Sequence, residues 1–341
     1  MTRARPSMVD VAKKAGVSQR TVSNVLGNYP HVSERTRRLV LQAVEDLDYR
    51  PNIAARRLRL GKTGTLALAV PNLSWSYFGE ISHLVQKSVA AAGYKLLVAE
   101  TEGSAHHEAK VLRDLHANLI DGMLLSPIEL TASELDDLNI DSPLVLLGER
   151  ISDSRYPHFA MDNIGAARQV TRHLYDQGAR RFLLLGATQT TATSSAGVLR
   201  QQGFELELAE LGLQKQQVRW EHADVSPWTS AGAYETVKSW LRTNPLPDAI
   251  IALNDLLAFG TLRALREAGV RVPDDVLLSG WDDTSESQFS TPTITTIAPD
   301  KHALVQGAVD GLIALIEGTA SIEGDVLVDH TLQVRESTKS L

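Results

Sequence analysis

The sequence predicts an all-α helix-turn-helix head followed by an α/β body in two lobes, each a doubly wound parallel sheet. Three observations carry this reading. The charge is split: residues 1–62 hold 13 Lys and Arg against 5 Asp and Glu, and the remaining 279 residues hold 21 against 36. A head of net +8 on a body of net −15 suits a polyanion met by the head alone. Apolar residues in the head repeat at helical spacing, broken by Gly16. In the body, short apolar runs alternate with amphipathic stretches, the pattern of parallel strands covered by helices on both faces.

In the head, Met8 to Val17 reads as a short helix that Gly16 can end in a left-handed conformation. Ser18 is the N-cap of a second helix, Gln19 to Leu26, with Val22, Val25 and Leu26 facing inward. Ser33 caps a third that runs to about Asp48, with Leu39, Val40, Ala43, Val44 and Leu47 on its apolar side. Two short helices joined by a glycine turn form a helix-turn-helix, whose second helix enters the major groove by its N-terminal end. Gln19, Arg20 and Asn24 then face base edges, where Arg suits guanine and Gln or Asn suits adenine. The hydroxyls of Thr21, Ser23 and Ser33 suit phosphate oxygens. The alternative at this point is a plain three-helix unit with a polar surface.

Pro51 breaks the third helix, and Ile53 to Leu58 could form only about two helical turns, marginal alone in water. In the body, the apolar runs are Leu66–Val70, Leu96–Ala99, Met123–Leu125, Leu144–Leu147, Phe182–Leu185, Ile250–Leu253 and Val276–Ser279, with a last strand pattern over Asp325–Arg335. Helical patterns cover Phe78–Ala92, Ala166–Gln177, Thr229–Leu241 and Leu256–Ala268. A body of this size exceeds one core, so two lobes are expected.

Several classes are disfavoured. No run of about 18 apolar residues occurs, so no membrane span is expected. Met1–Pro6 is short and basic with no apolar run after it, unlike a signal peptide, so a cytoplasmic protein is expected. The chain has no cysteine. It has no phosphate-binding loop, nucleophile elbow, zinc-protease or dinucleotide motif, so neither an enzyme nor a cofactor or metal is expected.

The head closely resembles the lac-repressor (LacI/GalR) family of regulators. The matching residues are Val9-Asp10-Val11-Ala12-Lys13-Lys14-Ala15-Gly16-Val17-Ser18, Thr21-Val22-Ser23, Val32-Ser33-Glu34-Arg35-Thr36-Arg37 and Tyr49-Arg50-Pro51-Asn52. The resemblance extends through Met161-Asp162-Asn163, Arg200-Gln201-Gln202-Gly203-Phe204, Asn254-Asp255, Val272-Pro273-Asp274-Asp275, Gly280-Trp281-Asp282-Asp283 and Thr295-Thr296-Ile297. Asn24 stands where the family usually has arginine. The resemblance implies a periplasmic-binding-protein-like body and a repressor controlled by a small ligand, a sugar by class. It also implies a homodimer on a palindromic double-stranded operator.

The implied layout is a DNA-binding head at 1–50, with its motif at about 8–27, and a hinge helix or linker at 51–62, which the residues alone would also allow to be a flexible basic linker. An N-terminal lobe follows at 63–163 and 293–324, and a C-terminal lobe at 164–292 and 325–341. In the hinge, Leu58 takes the position that wedges into the minor groove. Ser18, Thr36, Tyr49, Asn52, Ala55 and Arg57 join the candidate DNA contacts. The effector is expected where strand ends face the cleft. The candidates there are Trp75, Tyr77, Phe78, Arg150, Asp162, Arg200, Asn254, Trp281 and Asp282. Some have structural alternatives: Trp281 as cover of the core, Asp162 as a helix N-cap, and Asn254 as the cap of the helix at Leu256. The rival classes are a transport-type sugar-binding protein, against which the basic head argues, and a sugar or nucleotide enzyme.

Overall fold

The computed structural model describes residues 6–27, 29–49, 63–116, 120–149, 151, 154–187, 195–211, 218–319 and 324–339. The chain divides into two compact units, Met1–Thr63 and Gly64–Leu341. The expected hinge helix at 51–62 lies outside the described residues, as do Asn52, Ala55, Arg57, Leu58 and Arg150.

The first unit holds α1 (Met8–Ala15), α2 (Gln19–Leu26) and α3 (Glu34–Asp46). Local chemistry explains each boundary. Ser7 and Asp10 form a capping box that starts α1, and Gly16, at φ 62°, ends it in the left-handed region. The Ser18 and Ser33 hydroxyls accept the Thr21 and Thr36 N–H groups and start the other two helices. Val11, Ala12, Val22, Val25, Val40, Ala43 and Tyr49 form the core. An ion pair of 2.8 Å between Lys14 and Asp46 ties α1 to α3. Leu39, expected inside, is 48% exposed. Val40 and Ala43 fill the inward stripe of α3, and a three-helix unit has no further layer to cover the neighbouring position.

The second unit contains two six-stranded sheets. The first has the order β11-β5-β4-β3-β1-β2, from β1 (Thr65–Val70), β2 (Lys95–Glu100), β3 (Gly122–Leu125), β4 (Leu144–Leu147), β5 (His158–Met161) and β11 (Asp325–Val328). The second has the order β12-β10-β9-β8-β6-β7. Its strands are β6 (Arg181–Leu185), β7 (Arg219–Ala223), β8 (Ala249–Ala252), β9 (Leu277–Trp281), β10 (Thr295–Pro299) and β12 (His330–Gln333). All neighbours are parallel except β10 and β12. The helices are α4 (Ser76–Ala91), α5 (Ala105–His116), α6 (Ala132–Asp137) and α11 (Lys301–Glu317) around the first sheet, and α7 (Asn163–Asp176), α8 (Ala196–Glu210), α9 (Ser230–Thr243) and α10 (Asp255–Glu267) around the second. Strands β1, β3, β4 and β8 are buried almost throughout, as doubly covered strands require.

The chain crosses between the lobes after β5 at Asp162, after β10 at Asp300 and after β11 at Asp329. The first crossing agrees with the expected position, but the other two correct the expected boundaries at 293 and 325. The turn at Pro292 precedes a strand that pairs with β9, so the chain leaves the C-terminal lobe one strand later. The expected last strand is two, divided at Asp329: Val326–Val328 pairs with β5, and Thr331–Gln333 pairs with β10.

Helices α9 and α10 touch so closely that a Cβ on Gly260 would lie 2.1 Å from the Ser230 carbonyl oxygen. Because that neighbour is backbone, it cannot rotate away. Gly260→Ala is expected to cost about 1–3 kcal/mol through overpacking. In a body of this size that corresponds to a fall of about 2–4 °C for each kcal/mol, read by thermal unfolding.

Candidate DNA-reading surface and effector cleft

On the head, Gln19 and Arg20 are exposed, and neither side chain has a partner among the described residues. Thr21, Ser23 and Asn24 are half-buried on the same helix. Besides capping its helix, the Ser18 hydroxyl bonds the Thr21 hydroxyl at 2.9 Å, and Ser33 bonds Thr36 in the same way. These pairs fix the two helix starts, where free N–H groups favour phosphate oxygens. Tyr49 is placed differently from the other candidates: its ring is buried in the head core.

In the body, both sheets reverse direction of winding beside their first strand, with β1 between β2 and β3, and β6 between β7 and β8. Loops at the carboxyl ends of strands on either side of such a point leave a crevice. Here the two crevices face each other across a cleft of about 770 Å³. The N-terminal lobe supplies Asn72 and Trp75 after β1, Glu102 and Gly103 after β2, Ser126 to Glu129 after β3, and Gly148 and Glu149 after β4. The C-terminal lobe supplies Gly186 after β6, Asp224 to Thr229 after β7, Asn254 after β8, and Asp282 and Thr284 after β9. Trp75, Tyr77, Phe78, Arg200, Asn254 and Asp282 all line it, and so does Trp228.

Arg200 is the fixed point of the cleft. It is 5% exposed. Its Nε donates to Asn163 Oδ1 at 2.7 Å and one Nη donates to the Leu253 carbonyl. Its guanidinium carbon lies 4.1 Å from the centre of the Trp281 ring. Burial lowers the Arg200 pKa, and the Asp282 and Glu149 carboxylates work against that fall. Asp282 sits at φ 103°, a sparsely populated conformation for a residue with a Cβ. Its carboxylate makes no hydrogen bond among the described residues. Burial pushes its pKa up to about 8, although Arg200 pulls it down. Burial likewise raises the pKa of the Tyr77 hydroxyl, and Glu149 and Asp282 add to the rise.

Asp255 braces this wall from behind. Fully buried, it accepts the Thr284 N–H at 2.8 Å and the Thr296 hydroxyl at 2.8 Å. Burial raises its pKa to about 6, against these hydrogen bonds. Gly280 makes room for it, since a Cβ there would meet Asp255 Oδ1 at 2.2 Å. Asn254 has two roles. Its Oδ1 caps α10 through Leu257 N–H at 2.7 Å, and the residue also lines the cleft.

Two expected contacts do not line the cleft. Asp162 is an N-cap, its carboxylate accepting Gly165 N–H at 2.9 Å, because the chain turns from β5 into α7 there. Trp281 is wholly buried, with its indole N–H against the Met161 sulfur at 3.2 Å, and acts by supporting Arg200. Sequence reasoning passed over Glu102, Ser126, Glu129, Asp224 and Thr284 because they stand in loops without a recognisable motif.

Among the described residues, no helix is long and apolar enough to cross a membrane, and no group of three or more His, Cys, Asp or Glu could hold a metal.

Comparison with known proteins agrees with this geometry. Residues 7–52 match the model of bacterial regulatory proteins of the lacI family, and residues 171–338 match a periplasmic binding protein-like domain. The chain is 31% identical to the HTH-type transcriptional repressor PurR of Pasteurella multocida (strain Pm70), over 97% of this chain and 98% of that protein. It is 30% identical to the HTH-type transcriptional regulator AscG of Escherichia coli (strain K12), over 92% of each. Among solved structures, the lac repressor dimer bound to operator and the anti-inducer ONPF matches with a TM-score of 0.86 at 26% identity, covering 98% of this chain and 99% of that one. A complex of the transcriptional regulator CelR with cellobiose matches with a TM-score of 0.69 at 27% identity, covering 98% and 100%. The chain therefore belongs to the lacI family of bacterial regulatory proteins, and is a helix-turn-helix transcription regulator rather than an enzyme.

Proposed function

We propose that the chain acts in the cytoplasm as a homodimeric repressor whose grip on a palindromic operator is set by a sugar bound between the lobes. The observation that carries the ligand class is the lining of the cleft. Carboxylates, an amide and a buried guanidinium alternate with Trp75, Phe78 and Trp228. Polar groups of this kind pair with several hydroxyls, and aromatic faces cover the apolar side of a sugar ring. Exposed apolar side chains support association of two bodies. Leu97 and Val98 lie on the edge strand β2, and Phe289 is 85% exposed.

Several bonds already span the lobes in this arrangement. Ser76 of α4 donates to Glu286 at 2.5 Å, Ser285 N–H donates to Glu80 at 3.0 Å, and the Lys301 ammonium, paired with Glu80 in its own lobe, donates across to the Asp283 carbonyl at 3.1 Å. A ligand that favours another lobe orientation must exchange these bonds for its own. Such differential contact shifts the balance of states. The 51–62 segment is the proposed hinge that passes the shift to the heads, with Asn52, Ala55, Arg57 and Leu58 on DNA. A thermal-shift panel of sugars and nucleosides tests the ligand class, since a binder raises Tm by mass action. A shift with nucleosides and none with sugars would replace the sugar.

Arg20→Ala tests the reading surface. If Arg20 holds a base edge by two hydrogen bonds, operator affinity falls by about 1–3 kcal/mol. Unchanged mobility-shift affinity would remove Arg20 from the readout.

A further inference from the structure

Helix α5 carries a carboxylate that the ligand contacts do not use. Glu108 lies in its first turn and is 0% exposed. One of its oxygens accepts the Ile128 N–H at 2.7 Å and the Glu129 N–H at 3.3 Å, and the other accepts the Leu130 N–H at 2.8 Å. Three consecutive backbone donors thus converge on one buried carboxylate, an arrangement that fixes the positions of the donors. The donors belong to the loop between β3 and α6, in which Ser126, Pro127, Ile128 and Glu129 line the cleft. The Ile128 side chain also reaches to within 3.7 Å of the Cβ position of Gly103, in the cleft loop just before α5.

We infer that Glu108 is a positioning residue of the effector site: it holds loop 126–130 as a wall of the cleft and sets effector affinity without touching the effector. The inference rests on reading the cleft as the ligand site. Glu108→Gln keeps the size of the side chain but replaces one acceptor oxygen with an NH₂ donor, which faces the Leu130 or the Ile128 and Glu129 amides donor to donor. Hydrogen exchange on the full-length variant reads the result. The amides of residues 128–130 are expected to exchange at least about tenfold faster, with those of β1 and β3 unchanged. Each sugar that stabilises the wild type is expected to need at least about tenfold more ligand in titrations run well below Tm. Glu108→Asp, which keeps the charge but withdraws it by one methylene, gives the same test in milder form should Glu108→Gln not fold.

Unchanged exchange at 128–130 overturns the inference. So does faster exchange throughout the lobe, or an unchanged titration midpoint, because either one marks a group that serves only fold stability. Failure of the ligand reading shows differently, as a wild type that no sugar stabilises, and the inference falls with it.

Discussion

Asp282→Asn is expected to make the ligand-free protein more stable at pH 8 and unresponsive to its effector. The carboxylate is held in a strained backbone conformation with no hydrogen-bond partner among the described residues, and burial raises its pKa to about 8 from an ordinary 3.8. The sign follows from proton counting. Between about pH 4 and pH 8 the folded protein holds a proton that the unfolded chain has released, so stability falls as pH rises through that window and levels off above it. Asp255 adds to the fall in the same direction, up to about pH 6. Asparagine cannot ionise, so the Asp282 part of the slope disappears. The gain at pH 8 is expected to be about 1–3 kcal/mol, the scale of a buried polar group left without a partner. Thermal unfolding of the wild type and the variant at pH 5 and pH 8 measures it. An identical pH dependence in the two proteins would show that Asp282 is not held uncomfortably. Sites arranged to bind a ligand commonly carry such a cost. Operator binding, which uses the head, is expected to survive.

Arg200→Ala is expected to have the opposite sign and a larger size, about 3–5 kcal/mol of lost stability, together with loss of effector binding. The substitution leaves Asn163 Oδ1 and the Leu253 carbonyl without their donor, empties the space over Trp281, and removes the cation that faces Asp282 and Glu149. Lysine is not expected to rescue it, because a point charge on a flexible stem cannot both stack on Trp281 and reach the two acceptors. The pair can be examined as a cycle. In the Arg200→Ala background, Asp282→Asn should recover stability beyond its effect in the wild type, since the carboxylate then loses Arg200, the stronger of the two cations (with Lys301) that oppose the effect of its burial. Additivity within about 0.5 kcal/mol in thermal or urea unfolding would show the two residues to be independent.

The elements readable from sequence were those with a local cause. Helix α2 spans Gln19–Leu26 as expected because Ser18 caps it and Gly27 ends it. Strand β4 spans Leu144–Leu147 as expected because it is apolar and buried throughout. Elements without a local signature were missed. Strand β7 reads Arg-Trp-Glu-His-Ala because it is a sheet edge, and β5 begins with a histidine. That histidine, His158, bonds the Gly148 carbonyl and Asp325, the latter 167 positions away in sequence. The lobe assignment of β10 and β11 depends on partners more than ten residues away in each case, which periodicity does not encode.

The cleft divides in the same way. Arg200, Asn254 and Asp282 stand in motifs and line the cleft, and the aromatics of the loop after β1 line it too. Asp162 and Trp281 stand in motifs too, but are used for capping and packing. Glu108, which holds a wall, had only a faint mark, an acidic residue in the first turn of a helix that follows a strand, whereas Asp255, which braces the other, stands in a motif that did not reveal its role. Which loop such a carboxylate will hold is decided by tertiary contact.

The central claim is that one ligand site controls the operator grip of this chain. The direct measurement is the affinity of the full-length protein for a duplex selected from random sequence, by fluorescence anisotropy, with and without the sugar that most raises Tm. A palindromic sequence is expected to be enriched. The sugar is expected to change the Kd for that duplex by at least about fivefold, the lower end of ordinary allosteric coupling. Asp282→Asn is expected to bind the same duplex with no response to the sugar. A duplex affinity that is the same with and without a bound sugar would contradict the claim.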